Sequence, residues 1–147
     1  MSTIRKTGDV LVYACALPLM LAVMVTAPVT GPAHAQGRSD KGWVAPERAA
    51  KRPNPLPPTA DAVQRGHELF RRDCEQCHGK AGHGDGPQAP SLQPQPADLA
   101  STRVQSQTDG ALFWKMTQGR GMMPGATLGE RDKWAVINFL RTLAAPQ

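Results

Sequence analysis

The sequence predicts a small, mostly α-helical domain, and three observations predict it. Segments on both sides of the middle of the chain carry apolar residues at helical spacing. No alternation of apolar and polar residues, the pattern of a half-buried strand, appears around residue 74. The segment 79–96 is rich in glycine and proline, which predicts a loop rather than a helix or a central strand.

The first 35 residues have the pattern of a secretory signal peptide. Arg5 and Lys6 precede an uncharged run over 10–25, and Ala33-His34-Ala35 fits the small-residue cleavage pattern. The run is shorter than the ~20 residues that a membrane-spanning helix normally needs. We expect export and a mature chain that begins at Gln36, with an uncleaved membrane anchor as the alternative.

Residues 36–58 are predicted to form an extended, basic tether, either free or laid over the domain surface, because they contain five prolines and no apolar periodicity. Much of the chain's formal net charge of +5 is concentrated here. A basic leader with one aromatic residue, Trp43, is a poor nucleic-acid site, so we expect no nucleic-acid partner. The domain itself is expected to span 59–147.

The first main helix should begin after Thr59, whose hydroxyl suits an N-cap. Val63, Gly66 and Phe70 then share one face, which leads into Cys74. A glycine inside a helix costs about 1 kcal/mol relative to alanine. Gly66 therefore indicates close contact with another helix.

Cys74-Glu75-Gln76-Cys77-His78 is the motif at which a haem is attached covalently, with the histidine as the proximal iron ligand. A thioredoxin-like pair would need a βαβ pattern, and a structural zinc site would need four ligands. Cys15 is too isolated to join either scheme. Haem attachment in bacteria is completed outside the cytoplasmic membrane, so the motif and the export signal support each other.

Two further helices are predicted after the loop. One starts near Thr108 or Asp109 and stops at Gly119, and the last runs from about Glu130 to Leu143. Their apolar residues are Leu112, Phe113, Met116, Trp134, Val136, Ile137, Phe139, Leu140 and Leu143. About ninety ordered residues make a marginal core, so the apoprotein should be largely unfolded without its haem.

Methionines between the last two helices are the best candidates for the second axial ligand. Gly121 and Pro124 flank Met122 and Met123, and a stiffened loop of this kind can hold a thioether over the iron. Met123 is the preferred ligand and Met122 the alternative. Methionines also fill gaps in cores, which suits Met116 better.

His67 and His83 are the competing ligands. His67 lies on the helix that leads into the attachment motif, and His83 lies in the loop shortly after His78. From either position, the imidazole would be badly placed to reach the face of the haem opposite His78. Either ligand would imply a low-potential haem with two histidines.

From Thr59 onwards the chain resembles a class I (His/Met) mono-haem cytochrome c of the bacterial periplasmic type. The resemblance rests on the spacing of Gly66, Phe70 and Cys74, and on Met123-Pro124 before a final helix. It implies a small cytochrome c fold, in which three main helices wrap around one haem c bound through Cys74 and Cys77.

The resemblance also implies two contacts. Gly66 would cross the last helix at Val136 and Phe139. A proline carbonyl would accept a hydrogen bond from the imidazole of His78, and Pro90 fits that role, with Pro87 as the alternative.

A periplasmic carrier that passes single electrons between two redox proteins is the function that this resemblance implies, with no enzymatic reaction of its own. The alternatives are a cytochrome c subunit of a membrane-associated oxidoreductase complex and an open-site haem sensor or enzyme. Lys80, Arg120 and Gly121 are expected near the partner surface.

Overall fold

The computed structural model describes residues 42–144, which belong to one compact unit. The elements of this part of the chain are α1 (Glu47–Ala50), α2 (Ala60–Asp73), α3 (Glu75–His78), a 3₁₀ turn (Ala89–Ser91), α4 (Thr102–Gln105), α5 (Asp109–Gln118) and α6 (Glu130–Thr142). Between residues 42 and 144 the only β pairing is an isolated bridge between Arg120 and Met123. The predicted mostly α fold with three main helices is confirmed.

The predicted signal segment, its cleavage site and Cys15 lie outside the described residues. Among the helices of 42–144, none has the length and apolar character needed to span a bilayer.

α2 begins as the sequence predicts. The hydroxyl of Thr59 accepts a hydrogen bond from the backbone N–H of Ala62 at 3.2 Å. Leu69 and Phe70 are buried on its inner face. The N–H of Cys74 donates to the carbonyl of Phe70 at 2.8 Å, so the end of α2 fixes the first cysteine of the motif.

The crossing of α2 and α6 depends on Gly66. A Cβ at this position would lie 2.5 Å from the carbonyl carbon of Ala135, closer still to its oxygen, and 3.0 Å from the Cβ of Phe139. The prediction of a close helix contact at Gly66 is confirmed, but its partners are Ala135 and Phe139. Val136 instead lines the cavity described below, because adjacent residues of a helix point about 100° apart.

α5 and α6 bury the rest of the predicted apolar stripe. Thr108 caps α5 by accepting the N–H of Ala111 at 3.2 Å, and α5 ends at Gly119, whose φ is +65°. The ring of Phe113 stacks on that of Trp134, with 4.2 Å between centroids. Met116 is buried in this core, as its helical spacing predicts.

The segment 42–58 packs on the surface of the domain, and within the predicted extended tether it contains one helical turn, α1. Gly110 of α5 approaches α1 so closely that a Cβ would overlap the carbonyl oxygen of Ala49 and lie 3.0 Å from that of Ala50. Thr108 also donates its hydroxyl to the carbonyl of Ala50 at 2.7 Å. A single turn of helix is too short to show apolar periodicity, so α1 could not be predicted from the sequence.

Candidate haem site

The attachment motif spans the junction of α2 and α3. Cys74 ends α2, while Cys77 and His78 lie in α3, where the N–H of His78 donates to the carbonyl of Cys74 at 2.9 Å. Both thiols are free of disulfide bonds. Burial, with a smaller contribution from the Asp73 carboxylate, raises the pKa of the Cys74 thiol to about 12. Cys74 is therefore a neutral thiol in an apolar wall.

The two alternative roles of the cysteine pair, a structural zinc site and a thioredoxin-like redox pair, find no support within residues 42–144. Within residues 42–144, no three histidine, cysteine or acidic side chains are grouped so that they could hold a metal ion, as a structural zinc site would require. No strand of a βαβ unit flanks α3 in the same range.

His78 is oriented by the carbonyl of Ala97, to which its Nδ1 donates at 3.1 Å. This hydrogen bond fixes the ring and leaves Nε2 as the nitrogen available to a metal. Burial lowers the pKa of His78, although the Ala97 carbonyl opposes the shift, so the imidazole is held in the neutral form that binds metals.

The expectation that Pro90 accepts this hydrogen bond is wrong, and Pro87 does not accept it either. Both prolines are exposed, and Pro90 lies in the 3₁₀ turn. The N–H of Gln88 donates to the carbonyl of Gln76 at 2.9 Å, which ties that turn to α3.

Ala97 reaches His78 because the loop after α3 folds back on itself. The N–H of Leu99 donates to the carbonyl of Gly82 at 2.7 Å. A Cβ on Gly84 would lie 3.2 Å from the carbonyl carbon of Pro96, so the two backbones are in direct contact. These contacts place segment 96–99 beside His78, and they join residues too distant in sequence for spacing to reveal.

An apolar cavity, part of it open to solvent, lies between the helices, and its empty space, counted with that open part, is about 620 Å³. Cys74, His78 and Met123 all line it. Apolar side chains from four helices form much of the remaining wall: Phe70, Val104, Leu112, Met116, Val136 and Leu140.

Met123 is brought to this cavity by a tight turn. Arg120 and Met123 exchange backbone hydrogen bonds at 2.8 and 3.0 Å, with Gly121 at a φ of +57° between them. The turn is tied to the end of α5 because the N–H of Ala126 donates to the carbonyl of Met116 at 2.8 Å. Met122, at the tip, is 64% exposed and is not part of the cavity wall.

Neither competing histidine lines the cavity. The ring of His67 stacks on Phe139, with 4.7 Å between centroids. The His83 side chain is largely exposed, and its Nδ1 lies 3.2 Å from the carboxylate of Asp98. Both side chains therefore lie outside the cavity wall to which His78 and Met123 belong.

Sequence analysis missed six cavity residues: Trp43, Ala97, Leu99, Val104, Gln107 and Lys115. Trp43 was assigned to the solvated leader. Four of the others lie between the predicted helices, and Lys115 lies on a helix of which only the apolar positions were considered. The one signal for Trp43 was a large aromatic side chain in an otherwise polar and proline-rich segment.

The residues present fit a c-type haem. An apolar cavity contains an anchoring thiol, a neutral imidazole with one nitrogen already hydrogen-bonded, and a thioether from a separate segment. These are the attachment and ligand types by which proteins hold covalent haem.

Comparison with known proteins supports this interpretation. Residues 61–140 match the family model described as cytochrome c oxidase, cbb3-type, subunit III. A search of curated proteins found no match.

Two solved structures are similar to the chain. One is described as the Kuenenia stuttgartiensis reducing HAO-like protein complex Kustc0457/Kustc0458, with 23% identity and a TM-score of 0.55 over 62% of this chain and 47% of that one. The other is cytochrome CL from the marine methylotrophic bacterium Methylophaga aminisulfidivorans MPT, with 22% identity and a TM-score of 0.47 over 58% of this chain and 55% of that one. The chain thus spans about half the length of each.

The first of these similarities supports the fold, and the family match covers more than half of the chain. The resemblance to mono-haem cytochromes c is therefore confirmed, and with it a c-type haem as the cofactor and electron transfer as the general role. The protein belongs to the cytochrome c family whose model is named after subunit III of cbb3-type cytochrome c oxidase.

Proposed function

We propose that the protein is a periplasmic carrier of single electrons, in which Cys74 and Cys77 anchor the haem and His78 and Met123 are the axial ligands. A bound haem supplies the one-electron iron couple. The observation that carries the proposal is that His78 and Met123, from separate segments, line the same apolar cavity.

The chain's own residues hold this site rigid. The carbonyl of Ala97 fixes the His78 ring, and the turn from Arg120 to Met123 fixes the thioether. A metal centre whose two axial ligands stay in place undergoes little rearrangement when it changes charge, which favours fast electron exchange over substrate chemistry. The apolar wall excludes water and favours the less charged, reduced state.

Redox proteins are the expected donor and acceptor. Lys80, Arg120 and Gly121 are exposed, and the two cationic side chains would favour a partner with an acidic docking face. Met122 adds an exposed apolar contact beside Arg120.

A subunit role in a membrane-associated oxidoreductase is the second candidate. Two observations favour it: the matching family model is named after an oxidase subunit, and one similar structure is described as a protein complex. The two roles differ in whether the chain leaves the membrane as a free protein.

Fractionation of cells that express the full chain tests this difference. For the carrier we expect haem-containing protein in the periplasmic fraction, alone on size-exclusion chromatography, with Gln36 at its N-terminus by sequencing. Retention in the membrane fraction with residues 1–35 still attached, or copurification with other oxidoreductase subunits, would favour the subunit role. A cytoplasmic protein of known location, assayed in the same fractions, controls for cell lysis.

A further inference from the structure

Trp43 contributes to the cavity wall although it lies upstream of the family match, which begins at residue 61. Its neighbour Val44 is 79% exposed, whereas Ala45 is buried. The segment therefore runs along the surface with Trp43 turned towards the cavity and Val44 towards solvent.

The path of this segment is set by α1. Gly110, near the start of α5, leaves room for the backbone of α1, and the hydroxyl of Thr108 donates to the carbonyl of Ala50. Arg52, just after α1, places its guanidinium 4.8 Å from the centroid of the Phe113 ring. These contacts attach residues 47–52 to α5. Trp43, which precedes them in the chain, therefore lies near the C-terminal end of α5.

Two cations hold the indole in place at that end. The Nζ of Lys115 lies 5.2 Å, and the Cζ of Arg120 5.8 Å, from the centroid of the Trp43 ring. Both distances are within the ~6 Å at which cation–π attraction is significant. Lys115 is buried and also lines the cavity.

The same contact joins Trp43 to the methionine turn. Arg120 exchanges two backbone hydrogen bonds with Met123, and Met123 and Trp43 both line the cavity. The indole thus lies within cation–π distance of Arg120, the residue that begins the turn carrying Met123. Movement of Trp43 would open the part of the cavity wall that the indole forms.

We propose that Trp43 is a cover for the haem cavity, which excludes water and foreign ligands from the region beside Met123 and raises the reduction potential. An apolar, water-free surrounding favours the less charged ferrous state. A small ligand that competes with the thioether must also displace the indole first. Trp43 does not ligate the iron in this proposal. It changes the properties of the haem by shielding it from water and from competing ligands.

The test compares holoprotein of full chain length carrying Trp43→Ala, Trp43→Phe or Val44→Ala with the unmutated protein. Two quantities are measured: the reduction potential by optical titration, and the affinity of the ferric protein for imidazole. Val44→Ala is the matched control, because it shortens an exposed apolar side chain at the next position and leaves the cavity wall intact.

Trp43→Ala should lower the potential and tighten imidazole binding by roughly tenfold, about the factor that two cation–π contacts supply together. Trp43→Phe keeps a smaller ring and should shift both quantities in the same direction by less. If Trp43→Ala yields too little folded holoprotein to measure, Trp43→Phe still provides both measurements. Val44→Ala should match the unmutated protein in both.

The proposal that Trp43 covers the cavity would be overturned if both Trp43 variants had the same reduction potential and the same imidazole affinity as Val44→Ala. This inference uses the proposed ligand Met123 only as a neighbour. If the unmutated ferric protein lacks the weak red absorption band of thioether ligation, the proposed ligand set has failed, while the comparison of potentials still decides whether Trp43 shields the haem.

Discussion

Replacing Met123 with alanine should make the reduced protein bind carbon monoxide readily and should lower its reduction potential. Loss of the thioether opens an axial position and removes a ligand that favours ferrous iron. The drop should be on the order of 100 mV, a fraction of the ~0.8 V range that axial ligands span. The weak red band of the ferric protein should disappear in the same variant.

Met122→Ala is the matched control for this change. The two methionines are adjacent, but Met122 is exposed and is not part of the cavity wall. We expect Met122→Ala to keep the red band, the potential and the poor binding of carbon monoxide. The opposite pattern in the two variants would make Met122 the ligand, and persistence of the band in both would show that neither methionine ligates iron.

Gly66→Ala should have the largest effect on stability. The new Cβ would overlap the backbone carbonyl of Ala135, and backbone cannot move aside as the end of a flexible side chain can. α2 and α6 must then separate, which should cost about 3 kcal/mol or more. For a domain of this size such a loss lowers the melting temperature by roughly 15 °C.

Thermal unfolding of the holoprotein, followed by circular dichroism, measures this effect. Gly129→Ala serves as the control, because a Cβ at Gly129 meets no atom within 4 Å and its φ is negative. That variant should lose less than about 1 kcal/mol, since it changes only a weak helix cap. Equal melting temperatures for the two variants would contradict the close crossing.

The parts of the fold that sequence predicted are those set by local chemistry. Thr59 and Thr108 cap helices because their hydroxyls lie next to the first free N–H groups, and Gly119 ends α5 at a positive φ. The attachment motif and the methionine turn are likewise contained within a few residues. Such features need no knowledge of the rest of the chain.

The parts that sequence did not predict depend on contacts between distant segments. Ala97 replaces Pro90 as the acceptor for His78 because the loop folds back through Gly84 and Leu99. Trp43 joins the cavity because α1 packs on α5. Neither packing has a periodicity or a fixed spacing that a single sequence reveals.

The most direct test of the proposed carrier is the binding of carbon monoxide by the reduced, unmutated protein at neutral pH, followed by its absorption spectrum. A carrier keeps both axial positions filled, so we expect slow and incomplete binding, alongside the red thioether band in the ferric spectrum. Rapid, stoichiometric binding would mean that an axial position is open. That result would contradict the His78 and Met123 ligand pair and favour a haem sensor or enzyme.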